Sequence, residues 1–193
     1  MTRETQPPLL IGLAGPAGSG KSTIANAIVR KLDHAGIYSF AAPLKAALKA
    51  MGLTDAQLYG DEKDVPCALL GGKTPRHAMK TLGTEWGRGM IDDDFWVRSA
   101  MLRADSPRAA GMSIVFDDVR FDNEAAAIIA RGGTVFELRR PGVKASSEHA
   151  SEAGLSVQMI QYLVPNTDTP VNVAGDILWL ARLRNQAAQP NEV

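Results

Sequence analysis

The sequence has 193 residues, with 21 lysines and arginines against 21 aspartates and glutamates, so its formal charge at pH 7 is zero. That balance excludes the broad basic face with which proteins hold a nucleic-acid polymer, and leaves room for a local basic cleft suited to a small anion. At 45% hydrophobic and 22% charged residues the chain reads as one ordinary globular domain, and its single cysteine, Cys67, excludes an internal disulfide, a thiolate zinc cluster or a two-cysteine redox pair.

Leu9 to Ala14 is a short apolar run ending in glycine-rich sequence, followed by Ser22 to Leu32, where Ile24, Ala27, Ile28 and Leu32 recur at helical spacing. The pattern predicts strand, turn, helix. Ile37 to Ala41 predicts a second strand, and Pro43 opens a helix over Leu44 to Met51. Thr54 to Pro75 is rich in Gly, Asp and Lys without periodicity and reads as loop or broken helix. Helices are expected from Pro75 to about Leu82 and from Asp93 to Ala104. Ser113 to Asp118 is an apolar run ending in two carboxylates, then a helix runs from Asn123 to Arg131 and a strand from Thr134 to Leu138. A polar segment from Arg139 to Gly154 precedes a short helix near Ser156 to Leu163, a fifth strand at Leu163 to Pro165, and a last helix that includes Ile177, Leu178, Leu180 and Ala181. Near-continuously apolar strands alternating with helices imply a parallel sheet covered on both faces. The polar start, Met1 to Pro8, does not read as a secretory signal, no run of about 18 apolar residues predicts a membrane span, and a reducing cytoplasm is the expected setting.

Gly15-Pro16-Ala17-Gly18-Ser19-Gly20-Lys21-Ser22 fits G-x4-G-K-[ST] between the first strand and the first helix, which is the context the motif requires. Glycines let consecutive N–H groups turn inward around phosphate oxygens, and the following helix directs its positive end at the same anion. Lys21 reaches the β/γ-phosphates, and Ser22 offers a hydroxyl to magnesium, with Thr23 adjacent as a second possible metal ligand. The ligand expected of Gly15, Ala17, Gly18, Ser19, Gly20, Lys21, Ser22 and Thr23 is therefore a nucleoside triphosphate with Mg2+.

An apolar strand ending in Asp117-Asp118 is the usual carrier of a carboxylate in the magnesium shell. If the strand continues, the two point to opposite faces and only one serves. Arg120 follows at the same sheet rim. Arg76, Arg88, Arg120, Arg139 and Arg140 all fall in or beside loops or helix starts, and guanidinium forks suit phosphates.

Together with Phe40-Ala41-Ala42-Pro43-Leu44-Lys45, Thr74-Pro75-Arg76, Gly83-Thr84-Glu85 with Arg88, Asp118-Val119-Arg120-Phe121-x-Asn123-Glu124 and His149-x-Ser151-Glu152, the phosphate loop resembles the deoxynucleoside monophosphate kinases of tailed bacteriophages and prophages. The resemblance spans residues 11 to about 152. It implies a single kinase domain over 1–193, a P-loop three-layer α/β sandwich with a five-stranded parallel sheet in order 2-3-1-4-5, and ATP-dependent phosphorylation of a deoxynucleoside 5′-monophosphate. It implies a monophosphate-binding segment at about 40–105 and a short lid at about 139–154. Substrate-binding positions are then Phe40, Lys45, Arg76, Thr84, Arg88, Arg120 and Glu124, with His149 and Glu152 on the return of the lid. Lys21, Arg120, Arg139 and Arg140 are the implied catalytic cations, and Asp118 joins Ser22 at the metal through water. Adenine is expected at the fifth strand and the loop after it, Val164 to Pro170. Dephospho-coenzyme A or another small acceptor, and a nucleotide-dependent switch or ATPase, are the alternative functions. No polymeric nucleic acid or membrane is expected as a partner, a homodimer would be unsurprising, and a phage-encoded enzyme would work in the host cytoplasm. His34, His77 and Cys67 show no ligand spacing, and Trp86 is the one tryptophan placed to touch a base.

Overall fold

The computed structural model describes residues 7–143 and 154–187. These contain five strands, β1 (Leu10–Ala14), β2 (Ala35–Tyr38), β3 (Ser113–Val119), β4 (Thr134–Arg139) and β5 (Tyr162–Pro165), all parallel, in the order β2-β3-β1-β4-β5. The expected order is the order found. Every residue of β1 is buried, whereas the edge strands β2 and β5, each paired along one edge only, are largely open.

Side chains alternate across this sheet, which fixes where each helix packs. Leu9, Ile11 and Leu13 join Phe136, Leu138 and Val164 beneath α1 (Lys21–Arg30) and α7 (Pro170–Ala187), which contribute Ile24, Ile28, Val173, Ile177 and Leu178. On the other face a side chain at Gly12 would run into Ile128 of α6 (Asp122–Ile129), so this glycine sets the approach of that helix. Phe136 lies at the centre of the first cluster, fully buried, with the Tyr162 ring stacked 5.3 Å away.

The chain divides into two compact units: Met1–Ser39 with Leu102–Val193, which carries the sheet, and Phe40–Met101. The second unit comprises α2 (Ala42–Ala50), α3 (Asp55–Leu58), α4 (Pro75–Lys80), a π-helix (Thr81–Ile91) and the start of α5 (Phe95–Ala109), around Leu44, Leu48, Leu53, Leu58 and Trp96. Thr54 caps α3 reciprocally with Gln57, and isolated 3-10 turns at Asp61–Asp64 and Ala68–Leu70 complete the stretch expected as broken helix.

Several boundaries differ from expectation: β2 covers Ala35–Tyr38 rather than Ile37 to Ala41, because it pairs with Ser113 to Phe116 of β3, and three helices change length. The helix expected to stop near Leu82 continues as a π-helix to Ile91, despite three glycines of poor helix propensity, because tertiary packing sustains it. The Trp96 indole N–H donates to the Gly83 carbonyl at 2.8 Å, and a Cβ on Gly87 would lie 2.2 Å from that same nitrogen, so only glycine admits the ring. The expected helix near Ser156 to Leu163 shrinks to one 3-10 turn, Val157–Met159, because Tyr162 to Pro165 pair with β4 instead. The helix expected over Asp93 to Ala104 runs on to Ala109. Among the described residues no helix is long and apolar enough to cross a membrane.

Replacing Phe136 by alanine removes a fully buried ring from the main core and is expected to lower stability by about 3–5 kcal/mol in a urea titration, against less than about 1 kcal/mol for the half-exposed edge residue Leu163.

Candidate active site

All the loops that matter in the first unit leave the carboxyl ends of the strands, and the order reverses beside β1, where open α/β sheets bind ligands. The loop between β1 and α1 turns on Gly15, Gly18 and Gly20, each at positive φ. The α1 N-terminus has no side-chain cap and no acidic residue in its first turn, so its backbone N–H groups and its positive dipole end are left for an external anion.

Lys21 lies back along this loop, its ammonium donating to the carbonyls of Gly15 at 2.6 Å and Pro16 at 2.8 Å. Burial, and then the nearby positive charge of Arg120, lower its pKa to about 8, while Asp117 and Asp118 pull weakly the other way. The amine thus sits among cations and carbonyls in a setting that a phosphate chain would relieve.

The two carboxylates of β3 are separated by a register irregularity. Gly12 of β1 faces Phe116, but Ala14 faces Val119, so β3 carries one extra residue across Asp117-Asp118. Such bulges re-aim side chains. Asp117 accepts a 2.9 Å hydrogen bond from the Ser22 hydroxyl, and Asp118 accepts one from Ser39 at the end of β2. The carboxylate brought to Ser22 is therefore Asp117, whereas sequence reasoning placed Asp118 there. The bulge, a property of strand pairing, is invisible in the sequence.

Arg120 is exposed just past β3, with its backbone amide donating to Glu124 at 2.8 Å; Phe121 donates to the same oxygen at 3.2 Å. Glu124, expected among the substrate ligands, is 4% exposed and instead holds the backbone from which Arg120 projects. Thr23 is exposed one residue past Ser22. At the other side of the loop, Pro16, Glu137, Arg139, Arg140, Pro165 and Thr167 line a cavity of about 550 Å³. Arg139 donates to Glu137 at 3.0 Å, and Glu137 pairs in register with Ala14 at the mouth of the phosphate loop. Glu137 was not singled out from sequence, although its place two residues before Arg139 on an apolar strand marks it as a charge facing a site. His149 and Glu152 lie outside the described residues.

In the second unit, Arg76 makes a two-pronged ion pair with Asp64, at 2.6 and 2.9 Å, which together with Lys63 and Lys80 holds the Asp64 carboxyl below its ordinary range. The Arg88 side chain is 7% exposed and donates to the Asp93 carbonyl at 2.8 Å. Lys45 rests 4.4 Å over the Tyr59 ring. Phe40 is buried, and Thr84 is half-buried in the π-helix. Trp86 stays 40% exposed with its ring edge-on to Phe95.

Oxygen ligands suit magnesium, and Ser22 with Asp117 supply a hydroxyl and a carboxylate at the anion-seeking loop. Among the described residues no group of three or more His, Cys, Asp or Glu side chains gathers that could hold a metal. The pair fits an ion held mainly by water and phosphate.

Comparison with known proteins gives four likenesses. Residues 72–174 match the family model described as deoxynucleotide monophosphate kinase. A protein of Acanthamoeba polyphaga mimivirus named as a deoxynucleotide monophosphate kinase is 34% identical over 179 residues, covering 83% of this chain and 90% of that protein. The deoxynucleotide monophosphate kinase of Enterobacteria phage T4 is 32% identical over 92 residues, 47% of this chain and 38% of that protein. Among solved structures, the tunicamycin resistance protein of Deinococcus radiodurans shares the fold at a TM-score of 0.50 and 14% identity, over 90% of this chain and 95% of that one.

The lowered Lys21 pKa has a signed consequence. Below about pH 8 the ammonium is present before a polyphosphate arrives; above it, binding must draw a proton from solution. Tripolyphosphate affinity is expected to be flat between pH 6.5 and 7.5 and to fall about tenfold by pH 9. Calorimetry in buffers of different ionisation enthalpy should show proton uptake at pH 9, and Lys21→Met should abolish it.

Proposed function

The chain belongs to the deoxynucleotide monophosphate kinase family, and we propose that it carries out the family's phosphotransfer with MgATP as donor, in one in-line step between two nucleotides. The observation that supports the donor assignment is the uncapped α1 N-terminus, with Lys21 above it and the Ser22–Asp117 pair beside it. The glycine-turned loop holds the β- and γ-phosphates through backbone N–H groups, and Lys21 exchanges the carbonyls of Gly15 and Pro16 for phosphate oxygens. Ser22 and Asp117 hold the magnesium shell, and the bound ion supplies neutralisation of the phosphate charge. The donor base is assigned to the cavity lined by Pro16, Pro165, Thr167 and the arginines of the β4 end.

The acceptor monophosphate is already an anionic nucleophile, so no side chain needs to act as a strong base. What the protein contributes is position and positive charge while the transferred group spreads its charge over three oxygens. Arg120, at the end of β3, is assigned to that group, and its backbone is steadied by Glu124. Arg139 and Arg140, at the end of β4, are assigned to the donor phosphates, with Arg139 exchanging Glu137 for them. Arg76 and Arg88 of the second unit are assigned to the acceptor phosphate, with Phe40, Lys45, Thr84 and Trp86 shaping its surroundings. The lone cysteine and the nucleotide substrates favour the cytoplasm as the place of reaction.

Lys21→Ala is expected to cut deoxynucleotide phosphorylation by a factor of about 10² to 10³ with folding intact. Wild-type rates in that variant would overturn the assignment. A panel of deoxy- and ribonucleoside monophosphates with MgATP, read by phosphate transfer, identifies the accepted bases and sugar. Asp64→Asn removes the carboxylate that now occupies Arg76. The acceptor KM should drop by up to about fivefold while the ATP KM stays unchanged.

A further inference from the structure

The loop that leaves β5 touches the phosphate loop at one residue that none of the kinase motifs includes. The Asn166 side-chain amide donates to the Ser19 carbonyl at 2.8 Å, while its backbone N–H donates to the Arg139 carbonyl at 2.7 Å. Asn166 is flanked by Pro165 and Thr167, both in the wall of the cavity beside the loop. The approach is close enough to require glycine, since a Cβ on Gly20 would stand 2.4 Å from the Asn166 amide nitrogen. One residue, through its side chain and its backbone N–H, therefore ties the turn between phosphate cradle and α1 to the strand end that carries Arg139.

The peptide geometry gives this contact a direction. No cis peptide occurs among the described residues, so the Ser19–Gly20 unit is trans, and its C=O and N–H point opposite ways. With the carbonyl held by Asn166, the Gly20 N–H is turned to the side away from Asn166. Gly20 sits at φ 94°, where the peptide is free to rotate unless something holds it. Ser19 itself is fully buried, so water does not offer the carbonyl an equivalent partner.

We infer that Asn166 is a positioning residue for the donor: by holding the Ser19 carbonyl it aims the Gly20 N–H at the donor phosphates, and it links that aim to the wall of the cavity assigned to the donor base. The inference rests on the donor reading above for its link to ATP, but the phosphate half of it stands on the loop alone. A merely structural role would weaken both substrates alike through loss of folded protein. A positioning role is selective for the donor side.

The test uses the full chain and the variants Asn166→Ala and Asn166→Asp, the second of which keeps the shape and loses the donor. Tripolyphosphate binding is measured first, without any acceptor, and the Gly20 amide resonance is followed by NMR. In the wild type that resonance should move downfield as phosphate is added. In both variants the displacement should shrink and the affinity should fall about fivefold or more, further for aspartate, which sets a negative charge against the carbonyl. In turnover assays the ATP KM should rise by a similar factor while the acceptor KM and the melting temperature hold. Unchanged tripolyphosphate affinity in either folded variant, or equal losses for donor and acceptor, would overturn the inference. If the wild type binds tripolyphosphate but transfers nothing from ATP, the donor reading fails, and the loss of Gly20 response in the variants still decides the role of Asn166.

Discussion

A buried strand leads through a glycine-turned loop into a helix whose first turn has no cap and no carboxylate, with a lysine folded back along that loop. The sheet holds the positive end of that helix in place and cannot itself satisfy it, because the hydrogen-bonding capacity of β1 is spent on β3 and β4. The arrangement suits an anion, and the neighbouring groups agree: Arg120 adds charge, and burial, followed by Arg120, lowers the Lys21 pKa.

Much of the fold was legible in the sequence. Strand and helix periods were strong wherever one face is buried, and the resemblance supplied the strand order that periodicity alone could not. The phosphate loop was legible for a local reason: its pattern encodes backbone conformation, and that is decided within eight residues. Elsewhere the deciding contacts were distant. The π-helix exists because Trp96 packs on Gly83 and Gly87, and no propensity in Thr81 to Ile91 announces it. The short β5 won over a helix because β4 offered partners.

The candidate site shows the same division. That an aspartate ends β3 was plain from the apolar run; which aspartate meets Ser22 depended on a one-residue bulge between β1 and β3. Glu124 sits in a sequence motif beside Arg120, and both a ligand and a backbone clasp are compatible with that spacing. The 2.8 Å contact with the Arg120 amide adds the clasp, which the spacing alone does not reveal. Asn166 falls in the stretch expected to hold adenine but lies 147 positions from Ser19, so pairing them required the fold.

Lys21 carries one more implication, for chemical biology. An amine with a pKa near 8 is unprotonated in roughly a fifth of molecules at pH 7.4, against on the order of one in a thousand for an ordinary lysine. In the unliganded protein it is therefore more open than an ordinary lysine to acylation or sulfonylation by a mild electrophile. A nucleotide-shaped warhead could exploit that reactivity to modify the enzyme selectively and irreversibly, and occupancy by the natural donor would shield it.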